Sequence, residues 1–255
     1  MSKWAVILGA SSGFGAATAK ELAQNGYNIC GVHLDRKVHM EPVNALIEEL
    51  TTTGVKTKYF NINAADPEKR AEVVAYLKEE NAYVKVLLHS LAFGGLAPMF
   101  EGEKILSQKQ IEMTLDVMAN SLVYWTQDLF SAGLLQRGSS IYAMTSMGST
   151  RAVATYGAVA AAKSTLENYI RQIALELAPQ GIRANAIRAG VTITPALEKI
   201  PVVEYLVTEA KRKNPSKRLT TPEDIAKAIK ALSVDELSWM TGNIINVDGG
   251  EEITV

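Results

Sequence analysis

The 255-residue chain is poor in the residues that staple or ligate. Its one cysteine, Cys30, lies in an apolar, strand-like run and has no partner for an internal disulfide. The three histidines, His33, His39 and His89, are too scattered for a metal site, and no Cys/His cluster has zinc spacing. Neither sign of charge is in excess: 26 Lys and Arg against 27 Asp and Glu give a net charge of −1, no basis for attraction to nucleic acid or a membrane surface. No apolar run approaches the ~20 residues of a membrane span. Linkers, tandem repeats and low-complexity segments are missing as well. Met1-Ser-Lys-Trp4 runs directly into a strand-like segment, which leaves no room for a signal peptide, so a soluble cytoplasmic protein is expected. What is abundant is apolar character, 47% of the residues, enough for a large core in one unit spanning residues 1–255.

The elements alternate along the chain. Trp4–Leu8 is continuously apolar, as expected of a strand buried on both faces. Gly9, Ser11, Ser12, Gly13, Phe14 and Gly15 then form a glycine-rich turn into a helix ending near Asn25. Such a turn puts backbone N–H groups and a positive helix end beside an anion, and its glycines let a pyrophosphate approach closely. Tyr27–Leu34 is a second strand. A ribose-binding carboxylate is expected at its end, but that place falls on His33 or Leu34, neither of them acidic. Asp35 comes slightly late, and Arg36 and Lys37 follow. This favours a 2′-phosphate, hence NADP(H), with NAD(H) as the second possibility; the alternative is a solvated charged turn.

Further helices are expected over Val43–Thr53, from Asp66-Pro67 to Glu79, from the capping box Ser107-x-x-Gln110 to about Ala132, over Val202–Lys213 and from Thr221 to about Ser233. Strands are expected at Thr57–Ile62, Lys85–Ser90, Ser140–Met144, Arg183–Arg188 and Ile244–Val247. This alternation predicts an α/β fold: a Rossmann-like, doubly wound parallel sheet of about seven strands with helices on both faces. Ligands then sit at the carboxyl edge of the strands, where the glycine turn, His89-Ser90, Ser146 and Gly190 all fall.

One stretch carries the chemistry. After the strand from Ser140 and a small-residue loop, an Ala-rich helix resumes at Tyr156 and runs to about Leu177. Tyr156 and Lys163 are seven residues apart, about 20° short of two full turns, so they leave one helix face ~10 Å apart along the axis. A phenol titrates near ~10 and is a poor acid at neutral pH unless a neighbouring ammonium stabilises its anion. Tyr and Lys so placed can act together as a general acid; the bland alternative is an amphipathic helix with one aromatic and one solvated Lys.

Several motifs together resemble the short-chain dehydrogenases/reductases over the whole chain: Gly9-xxx-Gly13-x-Gly15, Asn61-Ile62, Asn185-Ala-Ile with Ala189-Gly190-xxx-Thr194, and Thr241-Gly-Asn with Val247-Asp-Gly-Gly250. The family's usual catalytic spacing is Tyr-xxx-Lys, but position 159 is Val. Tyr156 gives Tyr-x6-Lys instead, which resembles the enoyl-acyl-carrier-protein reductases. Leu88-His-Ser-Leu-Ala-Phe93 and Arg151-Ala-Val-Ala-Thr-Tyr156 also resemble them. The Asn of carbonyl-reducing members falls on Met118, with Asn120 close by. The commonest enoyl-reductase branch differs in its glycine loop and has a second Tyr near position 146, here Ser146. The chain is more similar to the minor branch with an ordinary loop, which generally uses NADPH.

The resemblance implies reduction of the C=C bond of an enoyl thioester carried on acyl-carrier protein or coenzyme A. Hydride passes to the β-carbon, Tyr156 hydrogen-bonds the enolate oxygen, and Lys163 contacts the cofactor ribose. It further implies that Ser90, Leu91 and Ala92 border the ribose and ring, and that Val191, Ile193 and Thr194 lie on the carboxamide and phosphate side. Residues 195–216 should cover the substrate, and a homotetramer with two-fold axes should bury the wide apolar surfaces of the helices Ser107–Ala132 and Gly157–Leu177. Ser146 is either a substrate contact or a loop cap. Two rival functions stand beside this one: a carbonyl or alcohol oxidoreductase using Tyr156 and Ser146, and a non-enzymatic dinucleotide sensor.

Overall fold

The computed structural model describes residues 2–255. Strands and helices alternate as β1 (Ser2–Leu8), α1 (Gly13–Gln24), β2 (Asn28–His33), α2 (Met40–Thr52), β3 (Thr57–Asn61), α3 (Pro67–Glu79) and β4 (Ala82–His89). The second half continues with α4 (Gln108–Leu115), α5 (Ser121–Ser131), β5 (Ser140–Thr145), α6 (Gly157–Leu177), β6 (Arg183–Ala189), α7 (Val203–Lys213), α8 (Pro222–Leu232) and β7 (Ile244–Val247). The seven strands form one sheet in the order β3-β2-β1-β4-β5-β6-β7, and every pairing is parallel. Winding runs outward in both directions from β1 and β4, which places the topological switch point, and the crevice that binds ligands in such sheets, between their carboxyl ends.

The period-2 geometry of a strand divides the core into two layers. Trp4, Val6 and Leu8 of β1 enter the layer shared with α3, α5 and α6, where Leu77, Trp125 and Leu166 are buried. Ala5 and Ile7 point the other way, against Leu22 of α1, Leu50 of α2 and Ile225 of α8. Helix starts follow local chemistry: Asp66 accepts hydrogen bonds from Glu68 N and Lys69 N ahead of Pro67, and Thr221 forms a capping box with Asp224 ahead of Pro222.

The expected long helix from Ser107 to about Ala132 is present, with a change of register inside it. The Ser107–Gln110 capping box is present, but α4 ends at Leu115, a π-helical turn occupies Asp116–Asn120, and α5 begins at Ser121. Such a turn carries one extra residue and leaves i→i−4 bonding out of register, a break that hydrophobic spacing alone does not reveal. A second adjustment is smaller: α6 begins at Gly157, and Tyr156 is its N-cap residue.

Candidate active site

The glycine turn is dictated by close approach. Gly9 has φ +87°, and a Cβ there would lie 2.4 Å from the Ser90 carbonyl oxygen; a Cβ on Gly15 would lie 2.0 Å from the Gly9 carbonyl oxygen. The N–H groups of Gly9 and Ala10 both donate to Val32 O, at 2.8 and 3.1 Å, binding the turn to β2. Gly13, at φ +52°, faces the Thr194 methyl, 3.4 Å from its Cβ position. Ser12 is the N-cap of α1 but its hydroxyl makes no capping bond, so the positive end of α1 is left for an anion. Ser11 lies half-buried in the turn, and Phe14 packs against the core layer below. A cradle too tight for side chains, opening onto an uncapped helix end, fits the pyrophosphate of a dinucleotide.

At the end of β2 the two candidate positions, His33 and Leu34, are placed differently. His33 is 3% exposed, and its Nδ1 lies 2.9 Å from Asp35 Oδ2, whereas Leu34 is 63% exposed. Asn61 fixes the backbone of Asp35 from both sides, accepting from Asp35 N at 3.0 Å and donating to Asp35 O at 2.9 Å. The next residue, Ile62, donates its N–H to His33 O. So His33 supports this corner from within, a carboxylate does stand here through Asp35, and Arg36 and Lys37 are exposed beside it.

Beyond β4, Ser90 N donates to Leu8 O at 2.8 Å, Leu91 packs on the core and Ala92 is exposed. His89 is fully buried. Its Nε2 lies 2.9 Å from Ser121 Oγ, which donates onward to Val117 O in the π-turn. Burial, and then the charge of Lys163, hold its pKa down to about 3, so it is a neutral support.

Ser146 and Tyr156 meet in the loop between β5 and α6, and Lys163 lies two turns further along α6. Lys163 is 6% exposed, and its Nζ donates to Met144 O at 2.7 Å. Burial lowers its pKa to about 8, and the nearby Glu167 carboxylate opposes that fall. Ser146 accepts from Gly148 N at 3.3 Å, as a loop cap does, and its hydroxyl faces that of Tyr156. Burial pushes the Tyr156 phenol up, and the Ser146 hydroxyl works against it. The expected lowering by the Lys163 ammonium is not seen: only burial and Ser146 act on the phenol, which is held neutral. Thr155, immediately before it, sits at φ +63°, a strained conformation for a β-branched residue next to a functional side chain. Val159 is 4% exposed inside the core, as is Met118 at 2%, while Asn120 is turned to accept from Tyr169 OH at 3.0 Å. No helical Asn reaches the site by that route.

After β6, Gly190 is enclosed by Thr220 and Asp248. Val191 N donates to Glu251 Oε2 at 3.2 Å, Ile193 is 58% exposed, and Thr194 Oγ1 caps Leu197 N at 3.2 Å. The inward residue of this loop is Thr192, 4% exposed, which the sequence did not single out. Glu251 was missed too, because nothing in its local sequence marks a carboxylate that folds back on a loop 60 residues earlier. Among the described residues no group of three or more His, Cys, Asp or Glu is placed to hold a metal, and no helix is long and apolar enough to cross a membrane.

A doubly wound parallel sheet, a glycine cradle at its switch point and a Tyr/Ser/Lys group at the carboxyl edge define an NAD(P)H-dependent oxidoreductase. The chain belongs to the short-chain dehydrogenases/reductases, matching over residues 9–252 the family model described as enoyl-(acyl carrier protein) reductase. It is 28% identical to the 3-oxoacyl-[acyl-carrier-protein] reductase FabG of Thermotoga maritima over 97% of each chain. It is 27% identical to the NADH-dependent enoyl-[acyl-carrier-protein] reductase FabI of a Nostoc species, over 92% of this chain and 90% of that one. Its fold is similar to that of the enoyl-[acyl-carrier-protein] reductase (NADH) from Aquifex aeolicus, with TM-score 0.86 and 22% identity over 99% and 97% of the two chains.

Proposed function

We propose that the protein reduces the C=C bond of enoyl thioesters carried on acyl-carrier protein or coenzyme A. The observation that carries this reading is the pairing of Val159 with Tyr156. The position four before Lys163 is an aliphatic side chain closed into the core, so the hydroxyl offered to substrate comes from the N-terminal edge of α6. A nicotinamide cofactor supplies the hydride when bound. The β-carbon accepts it, and negative charge builds on the thioester oxygen, three atoms further along. Tyr156, held neutral by burial, is suited to donate a hydrogen bond to that oxygen, which stabilises the enolate until its α-carbon takes a proton. Lys163, anchored by Met144 O, keeps a positive charge nearby at neutral pH. In this reading residues 195–216 of the single unit 1–255 cover the substrate, and exposed Tyr205 within them, with Ile193 just before, offers apolar surface to an acyl chain.

NADPH is the proposed preference, on the two exposed cations Arg36 and Lys37; Asp35 is the group that works against it. A second reading, reduction of a 3-ketoacyl thioester or small ketone, is favoured by the Ser146–Tyr156 hydroxyl pair, since two hydroxyls converge where a carbonyl oxygen would sit. Steady-state rates with crotonyl and acetoacetyl thioesters, each with NADPH and NADH, separate the two. The enoyl reading expects turnover of crotonyl thioester; turnover of acetoacetyl thioester alone overturns it.

A further inference from the structure

Directly beneath the Tyr156/Ser146/Lys163 group, three polar side chains from three elements meet in the interior. Glu167 stands on α6 one turn beyond Lys163, with its side chain 7% exposed. Its Oε1 accepts from Thr145 Oγ1 at 2.7 Å and from Arg188 Nη2 at 3.0 Å. Thr145 ends β5, between Met144, whose carbonyl holds Lys163, and Ser146. Arg188, with its side chain 13% exposed, lies near the end of β6, two residues before Gly190. Its Nη2 also donates to Ser149 Oγ at 3.1 Å, and Ser149 Oγ donates to Ser146 O at 3.0 Å. Arg188 Nε is buried with no hydrogen-bond partner among the described residues, so this guanidinium is incompletely compensated.

A buried ion pair is a weak source of net stability, because desolvation offsets most of its attraction. A purely structural junction of β5, β6 and α6 would be built as well from apolar side chains. This pair instead stands next to two members of the site: Lys163 one helical turn away on α6, and Ser146 through both Thr145 and Ser149. We propose that Glu167 and Arg188 form a positioning pair that sets the charge of Lys163 and the placement of Ser146. Glu167 holds Lys163 as an ammonium, and Arg188 limits that effect by drawing on the same carboxylate oxygen.

The groups that face Lys163 leave no other source for this effect. Tyr156 approaches from the start of α6 as a neutral phenol. Met144 O approaches from β5, and His89 from β4 is neutral at any pH where the enzyme works. Glu167 is the one carboxylate among them, and burial would otherwise drive Lys163 further toward the free amine. The role given to Lys163 in turnover rests on the enoyl-reductase reading; its charge state does not.

The test reads that charge state directly, from the 13Cε chemical shift of Lys163 against pH, with the resonance assigned by its loss in Lys163→Met. Glu167→Gln is expected to lower the midpoint by ~1 pH unit, and Arg188→Gln to raise it by a similar amount. Thr145→Val, with every charge in place, shifts it upward by less, because Oε1 loses a donor. The double variant Glu167→Gln/Arg188→Gln has no carboxylate left for Arg188 to draw on, so its midpoint stays close to that of Glu167→Gln. Shifts of the same sign in the two single variants, or none, overturn the proposal. Should either single variant fail to fold, Thr145→Val decides: an unmoved midpoint overturns it. Opposite shifts in a protein that turns over no enoyl thioester would sink the functional reading and leave this inference standing.

Discussion

At the scale of single residues, the site works through a neutral phenol and a charged, buried amine. Tyr156→Phe removes the donor and little volume. Loss of one oxyanion-site donor commonly costs about 10²–10³ in rate, so kcat should fall by that factor while cofactor affinity, read by fluorescence titration, stays nearly constant. Lys163 has a thermodynamic signature as well. Its folded pKa of about 8 lies below its unfolded value, so between the two the folded chain has released a proton that the unfolded chain keeps. Stability therefore rises as pH climbs through that window, and burial of the ammonium is a net burden below it. Lys163→Met should melt at or above the native temperature at pH 7, with the gap closing by about pH 10; a clear loss of melting temperature at pH 7 would refute this. The proposed cofactor choice turns on Asp35 more than on the buried His33. Asp35→Asn removes the charge that repels a 2′-phosphate, and the NADPH-to-NADH ratio of kcat/KM should rise on the order of tenfold. An unchanged or lower ratio would place Asp35 outside the ribose corner.

At the scale of elements, the decisive junction is the one between β1, α1 and β4. Gly9 and Gly15 are fixed by each other's backbone and by Ser90, not by flexibility. Gly15→Ala drives a Cβ into the Gly9 carbonyl, so the turn must open. Cofactor binding should then be lost, while the far-UV spectrum persists because β1 and α1 are otherwise packed by Ala5, Ile7 and Leu22. Retained affinity for both dinucleotides would show that the cradle does not hold the pyrophosphate. The π-turn at Asp116–Asn120 acts at the same scale. It places Met118 in the core and turns Asn120 toward Tyr169, and thereby removes from the site the one Asn the sequence offered.

At the scale of the whole molecule, the helices once expected to expose broad apolar faces bury most of them within the chain. Trp125, Leu122 and Leu129 of α5 are fully enclosed. What stays outside includes Phe130 and Leu175 at 38% and 71% exposure and, beyond these helices, Trp239 at 97%. A tetramer with two-fold axes remains the proposed assembly, now with less apolar area to bury on these helices. Light scattering at micromolar concentration is expected to give four times the 27.6 kDa chain mass, and a monomeric mass would refute it.

The sequence by itself determined the order and type of the elements, because the alternation of apolar runs, caps and glycine turns is local. It also determined the family resemblance and the prominence of Tyr156 and Lys163, because a helix maps spacing onto a face. Only the tertiary structure decided which groups are neutralised or turned away. His33 became an interior support beside Asp35, since strand ends are set by pairing with β1 and β3. Met118 and Asn120 left the site because a π-turn adds a residue that no periodicity records, and Val159 is closed into the core by the packing of α6. Glu167, Arg188, Thr192 and Glu251 acquired their places through burial and through bonds that span 21 to 60 residues of sequence. Such bonds, and the dielectric around them, exist only once the sheet has closed over its helices.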